Sequence, residues 1–191
     1  TPLTADDLVL KPGLLAGERI LVTGGGTGIG RMIASGCAAL GAKVIICGRR
    51  QGVLDEAAAA INEAAPGAVS TIVCDIRSEE SINAMLDALW ADGALTGLVN
   101  NAAGKFITPT EDLSVKGFEA IANIVFKGTF MVTLGCGKRW LNEGTSASVV
   151  SITARNAQNG GPFTAPSSMA KAAVENMSQT LAVEWGNRGI R

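Results

Sequence analysis

The sequence predicts an α/β fold, a doubly wound parallel sheet flanked by helices, and three observations predict it. Short β-branched runs alternate with helical periodicities from about residue 18 onward. A glycine-rich turn lies directly between the first such run and the first helix. In 191 residues, 47% hydrophobic content with 24 glycines provides for one sizeable core and many tight turns. Strict alternation argues for parallel strands joined by right-handed helical crossovers, with the strands buried on both faces.

Taken in order, residues 1–17, with Pro2, Pro12, Gly13 and Gly17, read as an irregular lead-in, and 18–191 as a single domain. The first strand is Arg19–Thr23, followed by a helix from Thr27 whose Ile29, Ile33, Cys37 and Leu40 recur at spacings of four, four and three. That is the stripe of a helix packed on a sheet. Strand Lys43–Cys47 leads to a helix from Gln51, strand Val69–Cys74 to a helix from Ser78, and strand Leu98–Asn100 to a long helical stretch, Leu113–Arg139. Strand Ser148–Ile152 and helix Pro166–Trp185 complete the pattern. At Gly189-Ile190-Arg191 the alternation predicts one more strand.

Charge and composition narrow the function classes. A formal net charge of −1 offers no basic field for nucleic acid. No apolar stretch is expected to be long enough to cross a bilayer, and the start of the chain, with Asp6 and Asp7, lacks the basic-then-apolar form of a signal peptide. The expectation is a cytoplasmic protein, or one of an organelle matrix if a targeting sequence was removed. Cys37, Cys47, Cys74 and Cys136 have no C-x-x-C spacing and read as small buried residues in a reducing compartment. The chain contains no histidine, the commonest transition-metal ligand and the usual general base, so no metal site is expected. It contains no tyrosine either.

The chemistry concentrates in Thr23-Gly24-Gly25-Gly26-Thr27-Gly28-Ile29-Gly30, which follows Ile20-Leu21-Val22 and opens a helix. Glycines let the backbone take positive φ and approach a ligand, while free amides and the helix dipole attract an anion. Gly25 and Gly30 have P-loop separation, but Arg31 and Met32 stand where Lys and Ser/Thr would be required. The spacing Gly24-x-x-x-Gly28-x-Gly30 after a threonine instead resembles the turn of the short-chain dehydrogenase/reductase family. Asp75, the run Asn100-Asn101-Ala102-Ala103-Gly104 and Lys171 follow in that family's order.

The resemblance implies a Rossmann-type dinucleotide-binding domain over 18–191, followed by a further strand and a substrate-covering lobe. It implies a nicotinamide dinucleotide held by Thr23, Gly24, Gly26, Thr27, Gly28, Ile29 and Gly30. Asp75 and Ile76 would lie beside adenine, with Asn101, Ala102, Ala103 and Gly104 against the ribose and Lys171 on the nicotinamide ribose. After Ile45-Ile46-Cys47-Gly48 the second strand ends in Arg49-Arg50, with no acid at its tip. An acid there would bond a ribose 2′-hydroxyl; two guanidinium groups suit a 2′-phosphate, so the expected cofactor is NADP(H).

Most members of the family reduce carbonyls with an Asn, a Ser, a Tyr and a Lys. Here Val125 stands for the asparagine, Ala154 for the serine and Ser167 for the tyrosine, while Lys171 is retained. An aliphatic hydroxyl has too high a pKa to replace a phenol as acid. The pattern resembles the 2,4-dienoyl-CoA reductase branch, which carries Ser and Lys at the positions of Ser167 and Lys171. Segments Asn101–Thr110 and Ala182–Gly186 are similar to that branch as well. In its mitochondrial form a tyrosine and an asparagine occupy the places of Asn156 and Lys105.

The resemblance thus implies NADPH-dependent reduction of a conjugated enoyl-CoA or 2,4-dienoyl-CoA thioester. Lys171, Ser167, Asn156 and Lys105 would form the reaction centre. A carbonyl reductase or alcohol dehydrogenase with an atypical acid, and a non-catalytic NADPH-binding subunit, are the alternatives. Helices Leu113–Arg139 and Pro166–Trp185 match the pair that builds homodimers and homotetramers in the family. The other expected partner is the acyl-CoA substrate.

Overall fold

A computed structural model describes residues 2–191, so Thr1 of the expected lead-in lies outside the described residues. Five parallel strands form one sheet: β1 (Arg19–Thr23), β2 (Lys43–Gly48), β3 (Val69–Val73), β4 (Gly97–Asn100) and β5 (Ser148–Ser151), in the order β3-β2-β1-β4-β5. The reversal of direction after β3 puts a switch point at the carboxyl ends of β1 and β4, where open α/β sheets place their ligands. Ile190 adds a parallel bridge to Ala147 beside β5, where the alternation called for another strand.

Neighbouring strand residues feed opposite layers. Leu21, Ile45, Cys47 and Leu98 pack beneath α3 (Glu79–Ala91) and α5 (Thr129–Glu143), around the fully buried Trp140. Ile20, Val22, Val44, Ile46 and Val99 pack on the other face with α1 (Gly28–Ala39) and α2 (Gln51–Ala64). Central strands are therefore buried on both sides, as expected for a doubly wound sheet. The edge strands depart from that expectation, with Val73 and Val150 about half exposed.

Of the stripe Ile29, Ile33, Cys37 and Leu40, Leu40 is buried and Ile33 and Cys37 pack against the core, but Ile29 does not. The buried face of α1 is Gly30, Ala34, Ser35 and Ala38, while Ile29 is 64% exposed. Small residues let this helix lie close to the sheet, and Ile29 turns toward the cleft described below. Burial keeps the thiols of Cys47, Cys74 and Cys136 protonated, pushing Cys136 up to about 12.

The stretch expected over Leu113–Arg139 is a continuous helical run from Val115 to Glu143, comprising α4 (Val115–Ala122), a π-helical turn (Asn123–Gly128) and α5. Length and composition make this 29-residue run apolar enough to cross a membrane, contrary to the sequence expectation. Its apolar side is a core face, however: Ile121, Val125, Val132, Cys136 and Trp140 are all buried. At Gly128 the turn meets the loop after β3 so closely that an added Cβ would lie 2.8 Å from the Ile76 carbonyl oxygen. Two more helices follow β5, the short α6 (Asn156–Asn159) and the long α7 (Ala165–Trp185), which packs on α4 and the π turn.

Candidate active site

The first crossover builds one end of the site. After β1 the chain turns through Gly24 at φ +66°, and the Gly24 amide donates to the Cys47 carbonyl at 2.8 Å, anchoring the turn to β2. A side chain at Gly24 would be strained and would also press on Ala102. At Gly30 the limit is steric alone: a Cβ would lie 2.4 Å from both Asn101 Nδ2 and the Gly24 oxygen. Thr27 is the N-cap of α1 and its side chain caps nothing, which leaves the first amides of that helix open to an anion.

An open cleft of about 750 Å³ runs along the carboxyl ends of the strands. Gly24, Gly26, Thr27, Gly28, Ile29 and Gly30 line it from the turn, and Arg49 and Arg50 from the end of β2. The loop after β3 contributes Asp75 and Ile76, and the loop after β4 contributes Asn101, Ala102, Ala103, Gly104 and Lys105. Asn156, Ser167 and Lys171 close the far end. Thr23 alone among the expected residues does not line it. Its 2% exposed hydroxyl accepts from the Asn101 and Ala102 amides, both at 3.0 Å, and so joins the two loops from behind.

Charge divides the cleft. Arg77, which the sequence reading missed, grips Asp75 through Nε to both carboxylate oxygens (2.9 and 3.0 Å) and through Nη2 at 2.5 Å. These hydrogen bonds, with a smaller contribution from Arg49, hold the Asp75 carboxyl below the usual carboxylate range. Among the described residues the ion pairs are Arg77–Asp75 and Arg139–Asp87, so Arg49 and Arg50 have no carboxylate partner. An arginine two residues beyond Asp75 was the available signal for Arg77.

At the other end Lys171 is 9% exposed, and its ammonium donates to the Ile152 carbonyl just past β5. Burial pushes its pKa below the ordinary lysine value. One helical turn earlier, Ser167 Oγ donates to the Thr164 carbonyl at 3.2 Å. Asn156 Nδ2 donates to Thr164 Oγ1 at 3.0 Å. Thr164, which the sequence reading also passed over, lines the cleft with them.

Lys105 stands exposed on the loop after β4. Ala154 lines the cleft without a hydroxyl, and Val125 is fully buried in the π turn. Among the described residues Asp75 is the only acid lining the cleft, and it belongs to the arginine end. The lysine end offers one buried cation and neutral donors, an arrangement able to hold an oxygen that gathers negative charge.

Comparison with known proteins agrees with this geometry. The model of the short chain dehydrogenase family matches residues 18–191. A Caenorhabditis elegans protein named probable 2,4-dienoyl-CoA reductase is 43% identical over 185 residues, covering 96% of this chain and 60% of the relative. A Bacillus subtilis protein, also named probable 2,4-dienoyl-CoA reductase, is 36% identical over 91% of this chain and 69% of its own length. The chain spans 59% to 60% of the length of the first curated relatives it matches. Among solved structures, a short chain dehydrogenase from Bacillus anthracis superposes with a TM-score of 0.88 at 40% identity, covering 91% of this chain and 73% of the other. The citronellol catabolism dehydrogenase of Pseudomonas aeruginosa gives 0.91 at 38% identity, over 97% and 75%. A parallel sheet carrying this glycine turn, with the family model matched from residue 18 to the last, shows that the chain belongs to the short chain dehydrogenase family.

Proposed function

We propose that the protein binds NADPH in this cleft and reduces a conjugated enoyl-CoA or 2,4-dienoyl-CoA thioester. The observation that carries the reading is the lysine end of the cleft, which keeps a buried Lys171 beside Ser167 and Asn156 yet has no phenol, imidazole or carboxyl group. Reducing a ketone creates an alkoxide that needs a proton from an acid of matched pKa. Reduction of a conjugated thioester instead spreads the new charge onto a carbonyl oxygen that neutral donors can hold. Relatives named as 2,4-dienoyl-CoA reductases support the same choice.

The residues fit the cofactor. Open first-turn amides of α1 and the space kept by Gly24 and Gly30 suit a pyrophosphate, and unpaired Arg49 and Arg50 suit a 2′-phosphate. Bound NADPH supplies the hydride. Lys171 holds the ribose hydroxyls, and its bond to Ile152 fixes the ammonium in place. The second N–H of Asn156 donates to the thioester oxygen, Ser167 can join it only by turning its one proton away from the Thr164 carbonyl, and Lys105 or water brings the proton to carbon. The acyl chain leaves over an apolar lip of Phe106, Ile107 and Phe163, all at least 41% exposed. Thr108 N donates to the Phe163 carbonyl at 3.1 Å, so these loops adjoin.

The assembly we propose is a homodimer or homotetramer, supported by Phe126 and Phe130 on the π turn and α5, which remain 40% and 39% exposed. Light scattering of the full-length protein tests it, with a monomer as the contrary result. The activity is tested by NADPH oxidation in the presence of 2,4-dienoyl-CoA, again with the full-length protein. No turnover with any enoyl or dienoyl thioester would overturn the reading.

A further inference from the structure

Thr164 stands at the N-cap of α7, where a threonine hydroxyl ordinarily accepts an amide of the first turn. Here it caps nothing. Its Oγ1 accepts from Asn156 Nδ2 at 3.0 Å, donates to the Gly161 carbonyl at 3.1 Å and lies 3.0 Å from Ser168 Oγ. A hydroxyl has one proton and two acceptor positions. With the proton committed to Gly161, Ser168 must be the donor in the third contact, and the capacity of Thr164 is full.

The Thr164 carbonyl is engaged as well, accepting from Ser167 Oγ at 3.2 Å and from the Ser168 amide at 2.9 Å. One residue therefore restrains both neutral groups of the lysine end, Asn156 through its hydroxyl and Ser167 through its carbonyl. The preceding Phe163 has φ +61°, the only positive φ outside glycine among the described residues, and its carbonyl is tied to Thr108. A bulky residue keeps that conformation only where its surroundings fix it. A hydroxyl withdrawn from capping beside a strained residue is a local rule broken at a candidate site.

We propose that Thr164 is the positioning residue of the reaction site, its hydroxyl holding one Nδ2 proton of Asn156 so that the other is aimed at the thioester oxygen. This rests on reading the cleft as a thioester reductase site. Because the Thr164 side chain does not cap α7, Thr164→Val removes the junction at little cost to the helix. Thr164→Ser keeps it.

In the full-length protein, Thr164→Val should lower kcat for 2,4-dienoyl-CoA about ten- to a hundredfold and leave the Kd for NADPH unchanged. Thr164→Ser should return most of the lost rate. An unchanged kcat, or equal losses of kcat and of NADPH affinity, would overturn the proposal. Should the parent protein turn over no thioester, the substrate reading fails on its own, and NMR of the Asn156 side-chain amide still decides the junction. That resonance should move in Thr164→Val and stay in Thr164→Ser; a resonance indifferent to Thr164→Val would sink the positioning role.

Discussion

Thr23 accepts two hydrogen bonds from Asn101. The Thr23 hydroxyl accepts the Asn101 amide at 3.0 Å, and Asn101 Nδ2 also donates to the Thr23 carbonyl at 2.9 Å and to the Gly24 carbonyl at 3.2 Å. The glycine turn is thereby tied to the loop after β4. Removing the hydroxyl alone tests this. Thr23→Val leaves the Asn101 and Ala102 amides without their partner and should cost about 1–3 kcal/mol of stability, read by thermal unfolding. NADPH affinity should fall as well, although Thr23 lines no part of the cleft, and Thr23→Ser should preserve both.

Gly30 follows from the same clamp. A Cβ there would meet Asn101 Nδ2 and the Gly24 carbonyl at 2.4 Å, the first held by its bonds to the Thr23 and Gly24 carbonyls and the second part of the backbone. Gly30→Ala should cost about 1–3 kcal/mol through overpacking and widen the turn, so that NADPH binding by calorimetry drops more than tenfold, on the order expected for a lost charge-assisted contact. Binding unchanged in Gly30→Ala would show that the turn and the loop after β4 adjust independently.

The arginine end makes a separable prediction about cofactor choice. Arg49 and Arg50 have no carboxylate partner, whereas Arg77 is committed to Asp75. Replacing both Arg49 and Arg50 with Ala should weaken NADPH about ten- to a hundredfold, the worth of one or two hydrogen bonds to a charged group, and change NADH little. The preference should also narrow as salt is raised, because these cations are exposed. Equal losses for the two nucleotides would assign the arginines to something other than the 2′-phosphate.

How far the sequence carried the structure differs from residue to residue. Every strand was legible within a residue or so of its observed limits, because β-branched runs between glycines leave a buried parallel strand few alternatives. The face of α1 was legible in part: Ile33, Cys37 and Leu40 pack on the core, but close approach to the sheet fills the centre of the contact with Gly30, Ala34 and Ala38 and leaves Ile29 exposed. Cleft residues near the glycine turn were readable because a turn that leaves helix amides open is written in local glycine spacing. Thr23 and Thr164 were misread or missed for a shared reason. Each acts through hydrogen bonds to residues distant in the chain or turned back on the helix, and a hydroxyl carries no sequence mark of the partner it will find. The π turn was hidden too, since its apolar residues continue an ordinary helical pattern.

Lys171 offers the last test, because its burial makes two trends run in opposite directions with pH. Its folded pKa lies below the ordinary 10.5, and the cause is desolvation of the ammonium. Between the folded value and 10.5 the unfolded chain therefore holds the extra proton, and this group's contribution to stability rises with pH across that window. On the proposed role, ribose binding by the cation would behave the other way, present below the folded pKa and lost as pH climbs through it. NADPH affinity should accordingly decline at a lower pH than an exposed lysine would allow, while thermal stability gains a small increment over the same interval. Lys171→Met should abolish both pH responses, lose most NADPH affinity and retain the fold, since its side chain fills the same buried volume without a charge to desolvate. Matching pH profiles of affinity for the parent and Lys171→Met would mean that the ammonium does not hold the cofactor.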